Sequence, residues 1–183
     1  MLFRSTRTAR LYGGSLYDLA AEEKLSDVIL EEMEEIRKIF RETPEYLHLL
    51  GEPSIPKKER TELIEKAFGA QAERYLVNFL KLLCDKNLIH EFAGCCEEFT
   101  RRYYADNNIA EASVTSAVPL TDRQMELLTA KLEKMSGKKV KLVQKTDSSV
   151  LAGLRVELEG KQLDGTVQSR LDGISRKLNE IIV

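Results

Sequence analysis

The stretch DNNIAEASVTSAVPLTDRQ, Asp106 to Gln124, is where the chain changes its period. Ala110, Ala112 and Val114 alternate with Glu111, Ser113 and Thr115, the two-residue repeat of a strand with one buried face. Asp106-Asn107-Asn108 ahead of it is polar and turn-forming. Thr121 and Gln124 behind it have the spacing of a capping box that opens a helix. Everything upstream reads as helix, and the downstream part mixes strands with helices. The stretch therefore predicts an α+β chain of two domains: an all-helical bundle over residues 1–105 and a small α/β domain over residues 106–183.

Six helices are expected upstream, joined mostly by short loops. The opening helix carries Tyr12, Leu16, Leu19 and Ala20 at helical spacing. Ile29, Met33, Ile36 and Phe40 then form one apolar stripe on a helix from about Ser26 to Arg41, with Glu31, Glu34 and Glu35 on its other face. Thr43-Pro44 reads as an N-cap followed by proline at the first helical position, and Gly51 as a stop. A short helix follows Ser54-Ile55-Pro56 and closes at Gly69. The most apolar helix holds Tyr75, Leu76, Phe79, Leu80 and Leu83 and breaks at Lys86-Asn87. The sixth shows Leu88, Phe92, Cys95 or Cys96, Phe99 and Tyr103 on one side.

Downstream of the switch, Met125, Leu128, Leu132 and Met135 predict the buried stripe of a helix that Gly137 ends. KKVKLVQK places Val140 and Leu142 against Lys139 and Lys141 in a second strand, and Leu154, Val156 and Leu158 face one way in a third. A last helix is expected over 165–181, with Val167, Leu171, Ile174, Leu178 and Ile181 on its apolar face and Asp164 as its cap.

The composition excludes several classes of function. Twenty-eight Lys and Arg against 30 Asp and Glu leave a net charge of −2, without the basic excess of a nucleic-acid binder. No apolar run approaches the roughly 20 residues of a membrane span, and MLFRSTRTARLY lacks an apolar core of signal-peptide length. A cytosolic protein is expected, held at a membrane only through a partner. Three cysteines, Cys84, Cys95 and Cys96, form no regular framework and suit a reducing compartment.

Little in the sequence suggests catalysis. There is no GxxxxGK[ST], no GxGxxG after a strand, no HExxH and no GxSxG. YGGSLYD has glycines before a serine, but no strand precedes it and no lysine comes after. Cys84, His90 and the Cys95-Cys96 pair are the candidates for a metal site or a thiol nucleophile, yet their spacing matches no ligand motif. His90 lies five residues before Cys95, off its helical face. Lys138, Lys139 and Lys141 read as a solvated helix-to-strand turn.

Gly13 and Gly14 are the anomaly. Each costs a helix interior about 1 kcal/mol relative to alanine. Together with Ser15 they make a strip poor in side chains on the first helix. Such a strip lets another helix come close, either within the bundle or from a partner laid into a groove.

Four segments carry a family resemblance in order along the chain: RLYGGSLYDLA, NFLKLLCDKNLIHEF, ASVTSAVPLTDRQ and TDSSVLAGLRVELEGKQLDGTVQSRLDGI. They resemble the delta subunit of the rotary F-type ATP synthase, the bacterial relative of the mitochondrial oligomycin-sensitivity-conferring protein. Tyr12, Gly13, Ser15 and Leu16 stand in the family's Tyr-Ala-x-Ala-Leu pattern, and Asn78, Phe79 and Leu80 in its Asn-Phe-Leu. Val114 to Leu120 match its strand-turn pattern, and Asp147, Ala152-Gly153 and Asp164-Gly165-Thr166 its final signature. Gly13 replaces the usual alanine, Thr166 the usual serine, and Leu88 a frequent arginine.

The resemblance implies a non-catalytic stator subunit without a cofactor. It would sit on the catalytic head at the cytoplasmic face of the cell membrane, peripheral to it and held there through the complex. Its N-terminal domain would bind the N-terminal helix of an alpha subunit in a groove between the first and fifth helices, and its C-terminal domain the ends of the b subunits. The groove candidates are then Tyr12, Gly13, Gly14, Ser15, Leu16, Leu19, Asn78, Lys81 and Leu82, with the two glycines clearing space for the partner helix. A generic helical adaptor and a small thiol- or metal-dependent enzyme are the competing readings.

Overall fold

The computed structural model describes residues 6–148, 150 and 153–164. They fall into two compact units that divide between Tyr103 and Tyr104. The first contains α1 (Arg7–Glu22), α2 (Ser26–Glu42), α3 (Pro44–Gly51), α4 (Lys57–Phe68), α5 (Arg74–Asp85), a 3-10 turn (Ile89–Glu91) and most of α6 (Phe92–Asp106). The second contains β1 (Ile109–Ser116), α7 (Asp122–Ser136), β2 (Lys139–Thr146), β3 (Leu154–Leu158) and β4 (Lys161–Asp164). The described residues are thus helix-rich with one small sheet.

Local chemistry explains the helix ends. The Thr6 hydroxyl caps α1 by accepting from the Ala9 N–H at 3.0 Å. The capping box of α7 is complete, with Thr121 and Gln124 each bonding the other's backbone N–H. Gly137 closes α7 at φ +69°, the left-handed conformation that glycine adopts without penalty. Thr43 departs from the sequence reading: it precedes Pro44, but its side chain makes no capping bond. Asn87 follows α5 at φ +55°, which turns the chain toward α6.

The core of the first unit is built from the expected stripes. Ile29, Met33, Ile36 and Phe40 of α2 are all buried, as are Leu76, Phe79, Leu80 and Leu83 of α5 and Phe92 and Phe99 of α6. Phe40 sits edge-on to Phe92 with ring centroids 5.4 Å apart and to Phe68 at 6.3 Å, joining α2, α4 and α6. Glu32 of α2 accepts from the Glu73 N–H at 2.8 Å, placing a carboxylate at the positive end of α5.

Arg60 of α4 is the buried residue that periodicity hides. It is 2% exposed among apolar neighbours. Its Nη1 donates to the Leu50 carbonyl at 3.0 Å, and Nη1 and Nη2 both donate to Asn87 Oδ1 at 3.1 Å. A guanidinium thus meets the carbonyl end of α3 and the turn that ends α5, two places where helix dipoles favour a cation.

In the second unit the sheet order is β2-β1-β3-β4. β1 and β2 run parallel with α7 as the crossover, and Ala110 pairs with Val140. β3 runs antiparallel to β1, with Val114 opposite Val156. Ala110, Ala112 and Val114 are buried with Val140, Val156 and Leu132. β4 goes beyond the three strands expected: Glu159 and Gly160, both at positive φ, form a two-residue turn that pairs Leu158 with Lys161. Asp164 therefore lies on a strand. The helix expected over 165–181, with its stripe from Val167 to Ile181, lies outside the described residues. Met135 is a second correction: it is 59% exposed, because the α7 stripe stops at Leu132.

Arg60→Ala is expected to lower the unfolding free energy by about 2–4 kcal/mol, since it strips charge-assisted hydrogen bonds from Leu50 and Asn87 and leaves a cavity. Urea denaturation followed by circular dichroism measures this. A change no larger than that of an exposed-site mutant would contradict the clamp.

Candidate partner-binding surface

The nine groove candidates separate into two sets once α1 is placed. Gly13 and Gly14 are buried, and they face α6. A Cβ on Gly13 would lie 2.5 Å from the Cys95 carbonyl oxygen and 2.9 Å from the Cys95 Cα. A Cβ on Gly14 would lie 2.5 Å from a guanidinium nitrogen of Arg102. Gly94 works from the other side, where a Cβ would approach that of Ala9 to 2.9 Å. The expectation that the glycines clear space for a partner helix is corrected here: they let α1 and α6 of the same chain approach at backbone distance.

Arg102, admitted by Gly14, ties the two helices together. It donates to Asp18 of α1 at 2.8 Å and to Glu98 of α6 at 3.1 Å. Glu98 is 3% exposed and also accepts from Arg101 at 2.6 and 2.9 Å. These bonds hold the Glu98 carboxyl below the usual carboxylate range: the Arg101 hydrogen bonds lower it most, burial opposes them, and Arg102 adds to the lowering. Tyr17 and Phe99 add an edge-on contact at 5.2 Å between the same helices.

Leu16 is 4% exposed and belongs to the core. Tyr12 is half-buried against that core. Ser15 is exposed, and its hydroxyl donates to the Leu11 carbonyl at 2.9 Å, within α1. Lys81 is ion-paired with Glu65 of α4, so it looks toward α4. Leu82, about 100° further round α5, is 41% exposed, and Asn78 one turn earlier is exposed as well. Leu19 is 36% exposed. α1 and α5 pack side by side. Of the candidates, Leu19 and Leu82 are the apolar side chains that reach solvent from this helix pair, with Tyr12, Ser15 and Asn78 beside them. Leu11, 66% exposed, is absent from the sequence-based set; its place four residues before Ser15 and eight before Leu19 puts it on the same helical face, the signal that could have found it.

The thiols are unsuited to chemistry. Cys84, Cys95 and Cys96 are all buried and free. The Cys95 pKa is pushed up to about 12, chiefly by burial and further by the Glu91 charge, with the Gly13 N–H opposing. Burial likewise pushes Cys96 well up. His90 is exposed and lies 3.8 Å from Glu91. Among the described residues no cluster of histidine, cysteine or carboxylate groups is arranged to hold a metal ion, and no helix is long and apolar enough to cross a membrane.

The sequence profile of the ATP synthase delta (OSCP) subunit matches residues 8–178. The chain belongs to this family. It is 31% identical over 171 residues to ATP synthase subunit delta of Desulfitobacterium hafniense, covering 93% of this chain and 96% of that one. It is 27% identical over 170 residues to ATP synthase subunit delta, sodium ion specific, of Ilyobacter tartaricus, with 93% and 97% coverage. The fold resembles a chain in the Toxoplasma gondii mitochondrial ATP synthase hexamer, at TM-score 0.71 and 16% identity, covering 94% of this chain and 98% of that one. This delta subunit is a non-catalytic, peripheral-stalk component of the F-type ATP synthase. The resemblance read from the sequence is upheld, and the thiol- or metal-enzyme reading falls.

Gly13→Ala in this delta subunit is expected to lose about 1–3 kcal/mol of stability, overpacking at Cys95 outweighing alanine's gain in helix propensity. Ser15→Ala on the exposed face should change stability by less than about 0.5 kcal/mol. Denaturant melts of both variants check the contrast, and equal effects would refute the close approach.

Glu98 gives a dependence on pH. Its native pKa lies below the unfolded value, so the unfolded chain takes up the proton first. The contribution is whole above the ordinary carboxylate range and fades as pH falls through the lowered native value. Between pH about 7 and about 3, Glu98→Gln should show a shallower fall in stability than wild type. Parallel slopes in urea melts across that range would contradict the assignment.

Proposed function

We propose that this delta subunit links the catalytic head to the peripheral stalk, with its helical unit taking the N-terminal helix of an alpha subunit and its sheet-containing unit holding the ends of the b subunits. Such a subunit lies at the cytoplasmic face of the cell membrane, reached through the complex. The observation that carries the reading is Leu19 and Leu82, exposed on two adjacent helices whose other large apolar side chains are mostly buried. A helix laid over α1 and α5 would cover both, with Asn78, Ser15 and Tyr12 at the contact. The glycines take no part in it. In the second unit, Leu127 and Met135 of α7 are 65% and 59% exposed, which supports a contact there as well.

Such a link keeps the alpha/beta hexamer from turning with the rotor. It needs contact area and rigidity, and no group that titrates or reacts. The test is calorimetry with a synthetic peptide of the alpha subunit's N-terminal helix. Leu19→Glu and Leu82→Glu are each expected to weaken binding at least about tenfold, because a carboxylate replaces a buried leucine. Lys81→Ala, which removes the pairing with Glu65 on the face of α5 turned toward α4, should change binding by less than about threefold. Unchanged affinity in both leucine variants would move the docking surface elsewhere.

A further inference from the structure

Arg102 leaves α6 and lays its guanidinium on the backbone of α1, in a seat that Gly14 opens: a Cβ there would lie 2.5 Å from Nη2 and 2.7 Å from Cζ. From this seat Nε donates to Glu98 Oε1 at 3.1 Å and Nη1 to Asp18 Oδ1 at 2.8 Å. The inner acceptor is anchored, since Glu98 is buried and takes two further bonds from Arg101. The outer acceptor, Asp18, is exposed and stands directly before Leu19. Arg102 thus joins a fixed point on α6 to the residue beside a leucine of the proposed docking surface.

The sequence of α1 gives such a link a purpose. Gly14-Ser15 is the kind of pair at which helices bend, and Asp18 and Leu19 both lie beyond it. The apolar side chains of that half, Leu16, Tyr17 and Ala20, are held in the core by burial, which is non-directional. A charge-assisted fork adds geometric specificity. Asp18 and Leu19 are about 100° apart around the helix, so fixing the direction of one fixes that of the other. We propose that Arg102 is a positioning residue of the α1–α5 surface. Acting through Asp18, it locks the half of α1 beyond the glycines to α6 and sets where Leu19 points at the partner helix. The inference rests on the reading of that surface as the seat of the alpha subunit's N-terminal helix.

The test uses the full chain and the synthetic alpha N-terminal peptide, at a temperature where circular dichroism shows each variant folded. By calorimetry, Arg102→Gln and Asp18→Asn are each expected to bind about three- to tenfold more weakly than wild type. The double variant should bind about as well as Arg102→Gln alone, because both substitutions break the same link. Methyl NMR with labelled leucines should show the Leu19 resonance displaced in Arg102→Gln, and displaced further than that of Leu82. A role confined to stability would lower the melting temperature and leave affinity and the Leu19 resonance at their wild-type values. Full affinity in folded Arg102→Gln, additive losses in the double variant, or an unmoved Leu19 resonance each overturns the positioning role. Should Arg102→Gln fail to fold, Asp18→Asn, which keeps the Arg102–Glu98 pair, carries the same expectations. Peptide binding that Leu19→Glu and Leu82→Glu leave unchanged would instead overturn the reading of the surface itself.

Discussion

The helical unit depends on one close approach, the backbone of α1 at Gly13 against the backbone of α6 at Cys95. A methyl group at Gly13 would sit 2.5 Å from a carbonyl oxygen, a contact no side chain can make without moving a helix. Two glycines cost α1 about 2 kcal/mol of helix propensity, and burial offsets that cost. With the helices drawn together, Ala9, Leu16, Tyr17 and Ala20 are buried, and Cys95 is sealed in the interior. The same burial pushes the Cys95 thiol toward its protonated form. One steric fact thus settles both the packing of this crossing and the chemical silence of Cys95.

The same approach fixes which side chains remain outside. Residues toward α6 are taken up by the core, and Arg102 bolts the crossing through Asp18 and Glu98. What α1 has left is the face with Leu11, Ser15 and Leu19, and α5 contributes Asn78 and Leu82. The surface proposed for docking follows from that packing: these are the residues the core did not take.

Much of the fold is legible in the sequence because it repeats. The α2 stripe, the α7 capping box and the alternation of β1 are signals in which several residues agree, and each recurs in the structure. The misses are single residues or short elements. Arg60 sits in a run of charges, KKERTE, and nothing local marks it as buried; only its distant partners Leu50 and Asn87 do. β4 has four residues, too few to show a period, and rests on the turn at Glu159-Gly160. Met135 extends a correct stripe one step too far. At the surface, the sequence marks α1 and α5 but does not tell inward from outward. Leu16 and Leu19 look alike in a periodicity, yet one is 4% exposed and the other 36%. The glycines read correctly as a close-approach device, but the helix they approach is set by tertiary packing, which no local pattern encodes.

Magnitudes argue that a stator built on such surfaces works by plurality. Burying one leucine fully contributes about 1.5–3 kcal/mol. Leu19 and Leu82 are 36% and 41% exposed, so a helix resting on them gains about 1–2 kcal/mol from the pair, below the roughly 4–15 kcal/mol that association costs. One such contact is marginal against torque. Joining contacts in a single chain changes the terms, because once one is made the next is intramolecular, at an effective concentration in the millimolar range for short connections. A subunit whose two compact units each expose large apolar side chains on their helices is suited to that regime. Its firmness would come from the number of modest contacts held at once, with no single strong site required.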